Sequence, residues 1–322
     1  MHKPCRNAAF NDRTSYKGGK RVSPNGGIVR GAEMMRRAVI LWMCVLAVGI
    51  PAMVGATRDG QCVEETPAGV INWTRGLFRT VMTVSGTEAA ALDENGPGAA
   101  CEAALAQMVA LILETRIDSA RRVGDILAPG GGSEAALRRQ IAATAALQQE
   151  KHVDGGIAIR AEIDMYGGIF NAILPPEIKQ IDTIKTVSAT PSAAAPAADA
   201  DTAESTNAFT GVIVDARGVA FQAAIAPVIV DEAQEEVYGP AFVSREFAVQ
   251  RGVCGYVGDI EAAKKDPRVI GNPLIVKGLR TGKNRSSHIV ISSADAARIR
   301  SVSDHLSFLR SCRVVIVLDC GS

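Results

Sequence analysis

Thr186–Asn207, TVSATPSAAAPAADADTAESTN, sets the strongest limit on what this chain builds. Its Ala, Pro, Ser, Thr and acidic residues carry too little apolar surface to repay the entropy of ordering them. No core can run through such a stretch, so the chain reads as α+β with two small domains. Each is a mostly antiparallel or mixed sheet packed by helices, over residues 70–184 and 209–322. A linker at 185–208 joins them and leaves them free to move independently.

A second segment sets the compartment. Ala38–Ala56, AVILWMCVLAVGIPAMVGA, has no charge, is entered from Arg36-Arg37 and leaves through Val54-Gly55-Ala56. Basic flank, apolar middle and small-residue exit are the three parts of a secretory signal, with cleavage expected between Ala56 and Thr57. The alternative is an uncleaved inner-membrane anchor facing the periplasm, since nineteen apolar residues nearly span a hydrocarbon core of roughly 30 Å. Gly49 and Pro51 interrupt the helix where a signal becomes extended, which favours cleavage. Residues 1–37 form a basic leader with no apolar periodicity, expected to be disordered. Signals begin close to their apolar core, so the expected start is Met34 or Met35 and the leader an over-long reading. Its alternative is a basic cytoplasmic arm on an anchored protein.

Removing residues 1–56 changes the charge. The whole chain holds 35 basic and 34 acidic side chains; Thr57–Ser322 holds 26 and 32, a net −6. An acidic mature protein lacks the electrostatic footprint of a nucleic-acid binder, and membrane contact is expected only through the N-terminal segment if uncleaved. Five cysteines follow Ala56, so at least one stays unpaired. In an oxidising periplasm Cys62 with Cys101, or Cys312 with Cys320, could bridge, with buried free thiols as the alternative; spacing alone decides nothing.

In the first domain, Val70–Val84 is rich in β-branched and aromatic residues and reads as one long strand with a bulge at Gly76. Ala99–Glu114 puts Cys101, Leu105, Met108 and Ile112 on one helical stripe, and Ser133 can cap a second helix. In Ile157–Met165 the period changes to two, with Ile157, Ile159, Ala161, Ile163 and Met165 on the core face. Ala146–Val153 is its expected antiparallel partner.

These residues carry a resemblance. Asn72-Trp73-Thr74, an Ala-rich helix, Arg116-Ile117-Asp118-Ser119, then Asp154-Gly155-Gly156 leading into a strand closed by Met165-Tyr166-Gly167-Gly168 and Leu174-Pro175, is similar to the bacterial LPP-twenty family of FlgP-like envelope proteins, over about residues 70–175. The resemblance implies a compact α+β domain, a periplasmic or outer-membrane-associated place, and a structural role in envelope or flagellar-motor assemblies. Members often carry a lipid-attachment cysteine, which this chain lacks.

The second domain reads as strands at Phe209–Val214, Ala226–Val230, Glu236–Tyr238, Pro273–Leu279 and His288–Ser292. Ser244–Gln250 reads as a short strand or helical turn. Asp259 caps a short helix stopped by Pro267, and Ser292 with Asp295 caps a helix over 293–310. Cys312–Leu318 is a continuous apolar run, hence a central strand.

No residue cluster spells out a reaction, so no catalytic residue, cofactor or metal is expected. Gly278–Asn284 resembles a phosphate loop but has one residue too few between its glycines and leads into a strand, not a helix. His152, His288 and His305 lack partners at ligand spacing. Ser292, His288 and Asp295 are triad residue types without the nucleophile-elbow glycines. Glu162 and Asp164 read as a solvated strand face. Asp215, Arg217, Arg245 and Glu246 combine turn chemistry with exposed opposite charges and are the candidate interaction residues, either across subunits or within one chain. The expectation is an exported, non-catalytic, self-associating structural or interaction protein of the envelope; the alternative is a periplasmic ligand- or peptidoglycan-binding module.

Overall fold

A computed structural model describes residues 60–85, 96–127, 132–153, 155–178, 209–301 and 303–320. The basic leader, the apolar segment, the Ala56–Thr57 junction and the linker at 185–208 lie outside the described residues. The protein is α+β, with one antiparallel and one mixed sheet.

The first sheet holds β1 (Val63–Thr66), β2 (Gly69–Asn72), β3 (Leu77–Val84), β4 (Ala146–Lys151) and β5 (Ile157–Asp164), ordered β1-β2-β3-β5-β4. All its pairs are antiparallel. The expected single strand over Val70–Val84 is corrected to two strands and a hairpin. The Asn72 side-chain oxygen accepts from the Arg75 amide at 2.9 Å, and Gly76 turns with φ +64°, so Gly76 marks a chain reversal instead of a bulge. Alternation on β5 holds: Ile159, Ala161 and Ile163 are buried opposite Met82, Thr80 and Phe78.

Helix α1 (Gly96–Glu114) covers that buried face. Ala104, Met108, Leu111 and Ile112 recur at three- and four-residue steps and are fully enclosed. Each large side chain among them contributes about 1.5–3 kcal/mol by leaving water. Three further helices complete the layer: α2 (Val123–Ile126), α3 (Gly132–Thr144), which buries Leu137 and Ile141, and α4 (Gly168–Ile173).

The second sheet holds β6 (Gly211–Asp215), β7 (Val228–Val230), β8 (Glu236–Tyr238), β9 (Gly255–Val257), β10 (Pro273–Gly282), β11 (Arg285–Ile291) and β12 (Val314–Val317), ordered β8-β7-β11-β10-β6-β12-β9. The β7–β8 and β10–β11 pairs are antiparallel and the rest parallel. β12 sits between β6 and β9, and its four residues are buried, as its unbroken apolar run predicts. Residue 244–251 chemistry resolves to a helix, α5 (Arg245–Arg251). In α6 (Ile260–Lys265) the Asp259 carboxylate accepts from the Ala262 amide at 2.8 Å. Ala263 then packs on Ile213, Val315 and Val317, while Val212, Val214, Val314 and Ile316 face the other way.

The expected helix over 293–310 is two helices, α7 (Ser293–Arg300) and α8 (Ser303–Arg310). The Ser301 hydroxyl donates to the Arg298 carbonyl at 2.8 Å, a local bond that competes with the helical ladder. Ser292 caps α7, accepting from the Asp295 amide at 3.0 Å and donating to its carboxylate at 2.8 Å. Replacing Ser292 by Ala should cost about 1 kcal/mol in urea unfolding, and Ser292→Asp should restore most of it.

The two sheets share a core. Trp73 after β2, Phe78 on β3 and Leu111 on α1 belong to the same buried cluster as Tyr256, Val314 and Ile316 of the second sheet, and the described residues form one compact unit. Backbone bonds cross the seam: Ile225 donates to the Arg116 carbonyl at 3.0 Å, Ala226 to Ile117 at 2.8 Å, Gly167 to Val249 at 2.8 Å and Gly258 to Gly60 at 2.9 Å. Independent motion of the two parts, expected from the linker composition, is therefore corrected. A flexible connection says nothing about the surfaces it joins, and here those surfaces are apolar and paired.

Candidate functional site

A loop of the first sheet builds one wall of a cleft at this seam. Between α1 and α2 the chain doubles back, with Ile117 donating to the Arg121 carbonyl at 2.9 Å and Val123 to Thr115 at 3.0 Å. Asp118 locks the tip: its carboxylate accepts from the Ala120 amide at 2.8 Å, the Arg121 amide at 2.9 Å and the Arg121 Nε at 2.8 Å. Arg121 Nη1 continues to Glu177 at 2.7 Å. Ser119 Oγ accepts from the Ser287 amide at 2.9 Å, tying the loop to β11.

The opposite wall comes from the second sheet. Glu236 of β8 and Arg285 and His288 of β11 line it together with Ala226, Val228, Pro240 and Ala241, and the cleft holds about 490 Å³. That lies within the range of ligand sites. Burial pushes the Asp118 carboxyl up, but its amide bonds and Arg121 outweigh this and hold it below the ordinary range. Glu177 is held down by its own amide and by Arg121. Burial raises Glu236, while burial and the nearby Arg285 charge depress His288 despite the attraction of Asp118. The cleft thus combines a satisfied Asp118–Arg121–Glu177 network with separate groups on the second sheet. Sequence reading missed it because its charges come from four distant segments. The visible signal was Asp118-x-x-Arg121, an Asx-type turn that begins within Arg116-Ile117-Asp118-Ser119 and runs two residues beyond it.

The four candidate interaction residues do not form one site. Asp215 pairs with Arg217 at 2.8 Å and with Lys277 at 3.3 Å, at the carboxyl end of β6. Arg245 donates to the Asn171 carbonyl at 2.8 Å, with longer approaches to Pro175 and Ile178, so it pins α4 to α5 within the chain. Glu246 is the next residue on α5 and forms no ion pair with Arg245. The hydrogen bond from Arg217 is the main cause holding the Asp215 carboxyl at about 2, against an ordinary 3.8. A depressed folded pKa stabilises the fold above the unfolded value, and that contribution disappears as pH falls through about 2. Urea midpoints measured from pH 5 down to pH 2 should therefore fall less steeply in Asp215→Asn than in the native chain.

The cysteines pair across the molecule. Cys62 bonds Cys320, with Cα atoms 4.6 Å apart, while Cys101, Cys254 and Cys312 are buried thiols outside any disulfide. This corrects both local pairings: Cys101 lies inside α1 against β5, and Cys312 is fully enclosed where α8 leads into β12. Burial pushes Cys254 and Cys312 up to about 12, so both are protonated and unreactive at neutral pH.

The other motifs take structural roles. Gly278–Asn284 runs along β10 into its hairpin with β11, and Asn284 turns with φ +55°. Ser292 and Asp295 bond each other as a cap, while His288 lines the cleft, so the three triad residue types are not assembled. Glu162 pairs with Arg79 at 2.5 Å across the strands. Among the described residues, no group of three or more His, Cys, Asp or Glu side chains could hold a metal ion, and no helix is long and apolar enough to cross a membrane.

No curated protein matches the chain. Residues 211–320, from β6 to just beyond β12, match the family model described as Treponema pallidum Tp0624, second domain, so the mixed-sheet part of this chain is similar to that domain.

Proposed function

We propose that this chain is an exported, non-catalytic structural or interaction protein of the bacterial envelope, periplasmic or outer-membrane-associated and self-associating. The observation that carries the reading is the Cys62–Cys320 bond, because a long-range disulfide belongs to an oxidising compartment. The apolar segment Ala38–Ala56 supplies the route there. The resemblance of residues 70–175 to LPP-twenty proteins supports an envelope role, and a flagellum-associated assembly is its specific form. Fractionation of cells producing the full chain tests the compartment, and light scattering of the purified protein tests assembly. A cytoplasmic pool or a strictly monomeric species would overturn the respective half of the proposal.

The cleft favours a second reading, a periplasmic ligand-binding or peptidoglycan-binding module. Retention of the purified protein on isolated cell wall supports it, whereas assembly without any retained material supports the scaffold.

A further inference from the structure

We infer that the cleft between the sheets binds a short zwitterionic peptide, its carboxylate on Arg285 and its ammonium group on Glu236. This deepens the ligand-binding reading and rests on it.

The cleft's charges are unequal in what they have already paired. Asp118, Arg121 and Glu177 satisfy one another and form a fixed wall. The side chains of Arg285 and Glu236 make no hydrogen bond or ion pair among the described residues, although both line the same cleft. Glu236 lies folded against Gly239, with its Oε1 where a β-carbon on that glycine would sit; this raises its carboxyl while the residue stays exposed at the cleft. Opposite charges that share a cavity and leave each other unpaired select a ligand carrying both signs. A simple anion would meet three carboxylates, Asp118, Glu177 and Glu236; a simple cation would meet Arg121 and Arg285. Arginine's planar fork suits a carboxylate in particular.

Strand register limits the length of the occupant. Glu236 pairs with Val230, and Val230 with Val290. Arg285 lies five residues before Val290 on the same strand. Register shifts interrupt β11 beside Arg285 and β8 beside Glu236, so five full strand steps and two interstrand spacings set an upper limit of roughly 19 Å on the separation of the two Cα atoms. After the reach of the Arg and Glu side chains, at most about 8–10 Å remains, which a peptide of up to about four residues spans at ~3.4 Å per residue. The small apolar lining residues Ala226, Val228 and Ala241 suit small side chains on the occupant.

Calorimetric titration of the purified chain with tri-alanine tests this. Binding is expected, weakened at least tenfold by N-acetylation, by C-terminal amidation, and by Arg285→Ala or Glu236→Gln separately. Both side chains are solvent-facing, and unchanged melting curves would show that the variants fold. Free alanine, too short to bridge, should bind at least tenfold more weakly than tri-alanine. Equal binding of blocked and unblocked peptides, or no binding of tri-alanine, overturns the inference. If cell-wall retention survives that outcome, the ligand-binding reading stands with another ligand; if retention fails as well, both fall.

Discussion

Loss of the Cys62–Cys320 bond should lower the free energy of unfolding by roughly 2–5 kcal/mol, the largest effect expected of any covalent change in this chain. The bond joins residues 258 positions apart, so it closes nearly the whole described chain into one loop. An unfolded chain without it gains the freedom of that loop, and the entropic cost of folding rises accordingly. The bridge also holds the first residues of the structure in place. Cys62 accepts from the Trp73 amide at 2.9 Å and donates its own amide to Thr74 Oγ1 at 2.8 Å, while Gly60 lies directly on Gly258. In urea titrations the double variant Cys62→Ser/Cys320→Ser should show a lower midpoint, and the native chain with reductant should move toward it. Reductant should leave the double variant unmoved, because Cys101, Cys254 and Cys312 are buried thiols outside any disulfide.

Tyr256→Phe should cost about 2–4 kcal/mol, more than removal of one hydroxyl usually does. The Tyr256 hydroxyl donates to the Ala224 carbonyl at 2.7 Å and accepts from the Ala224 amide at 3.1 Å, and the residue is 3 % exposed. Phenylalanine would leave both backbone groups buried without a partner, each at about 1–3 kcal/mol. The ring stays in its edge-on contact with Trp73, 5.6 Å between centroids, so the loss reports the polar bonds alone. Tyr166→Phe is the internal comparison: its hydroxyl accepts one longer bond, 3.3 Å from Arg268, and should cost about 1 kcal/mol. The two variants compared by urea unfolding at pH 7 would separate a pinned backbone from a lone side-chain bond. Equal losses would contradict the argument.

What could be read from the sequence follows from how local each cause is. The alternation of Ile157–Asp164 and the stripe on α1 were legible because each element buries one face, and that constraint writes itself into nearest-neighbour periodicity. The run over Val314–Val317 was legible for the complementary reason, burial on both faces. Val70–Val84 misled because a glycine with positive φ serves a bulge and a hairpin equally well; the deciding fact was the Asn72 side chain, which satisfied the Arg75 amide. The 293–310 helix failed at Ser301, whose hydroxyl found a local carbonyl. Arg300 on the last turn of α7 meanwhile reaches Asp231 at 3.1 Å. Cysteine pairing and the cleft were beyond reach, since both join groups far apart in the chain. Arg116 shows the same limit: one guanidinium reaches Glu64 at 2.6 Å and the Ala223 carbonyl at 3.2 Å, binding both sheets through residues no spacing rule connects.

We propose that export takes this chain to an oxidising compartment, where the Cys62–Cys320 bond ties the start of the first sheet to the end of the second. Peptide mapping of protein isolated from the cell envelope, alkylated before any reduction, tests it most directly. The predicted result is a Cys62–Cys320 crosslinked peptide, with Cys101, Cys254 and Cys312 alkylated once unfolded and no Ala38–Ala56 peptide ahead of Thr57. Recovery of Cys62 and Cys320 as alkylated thiols, or bridged to Cys101 and Cys312, would contradict it.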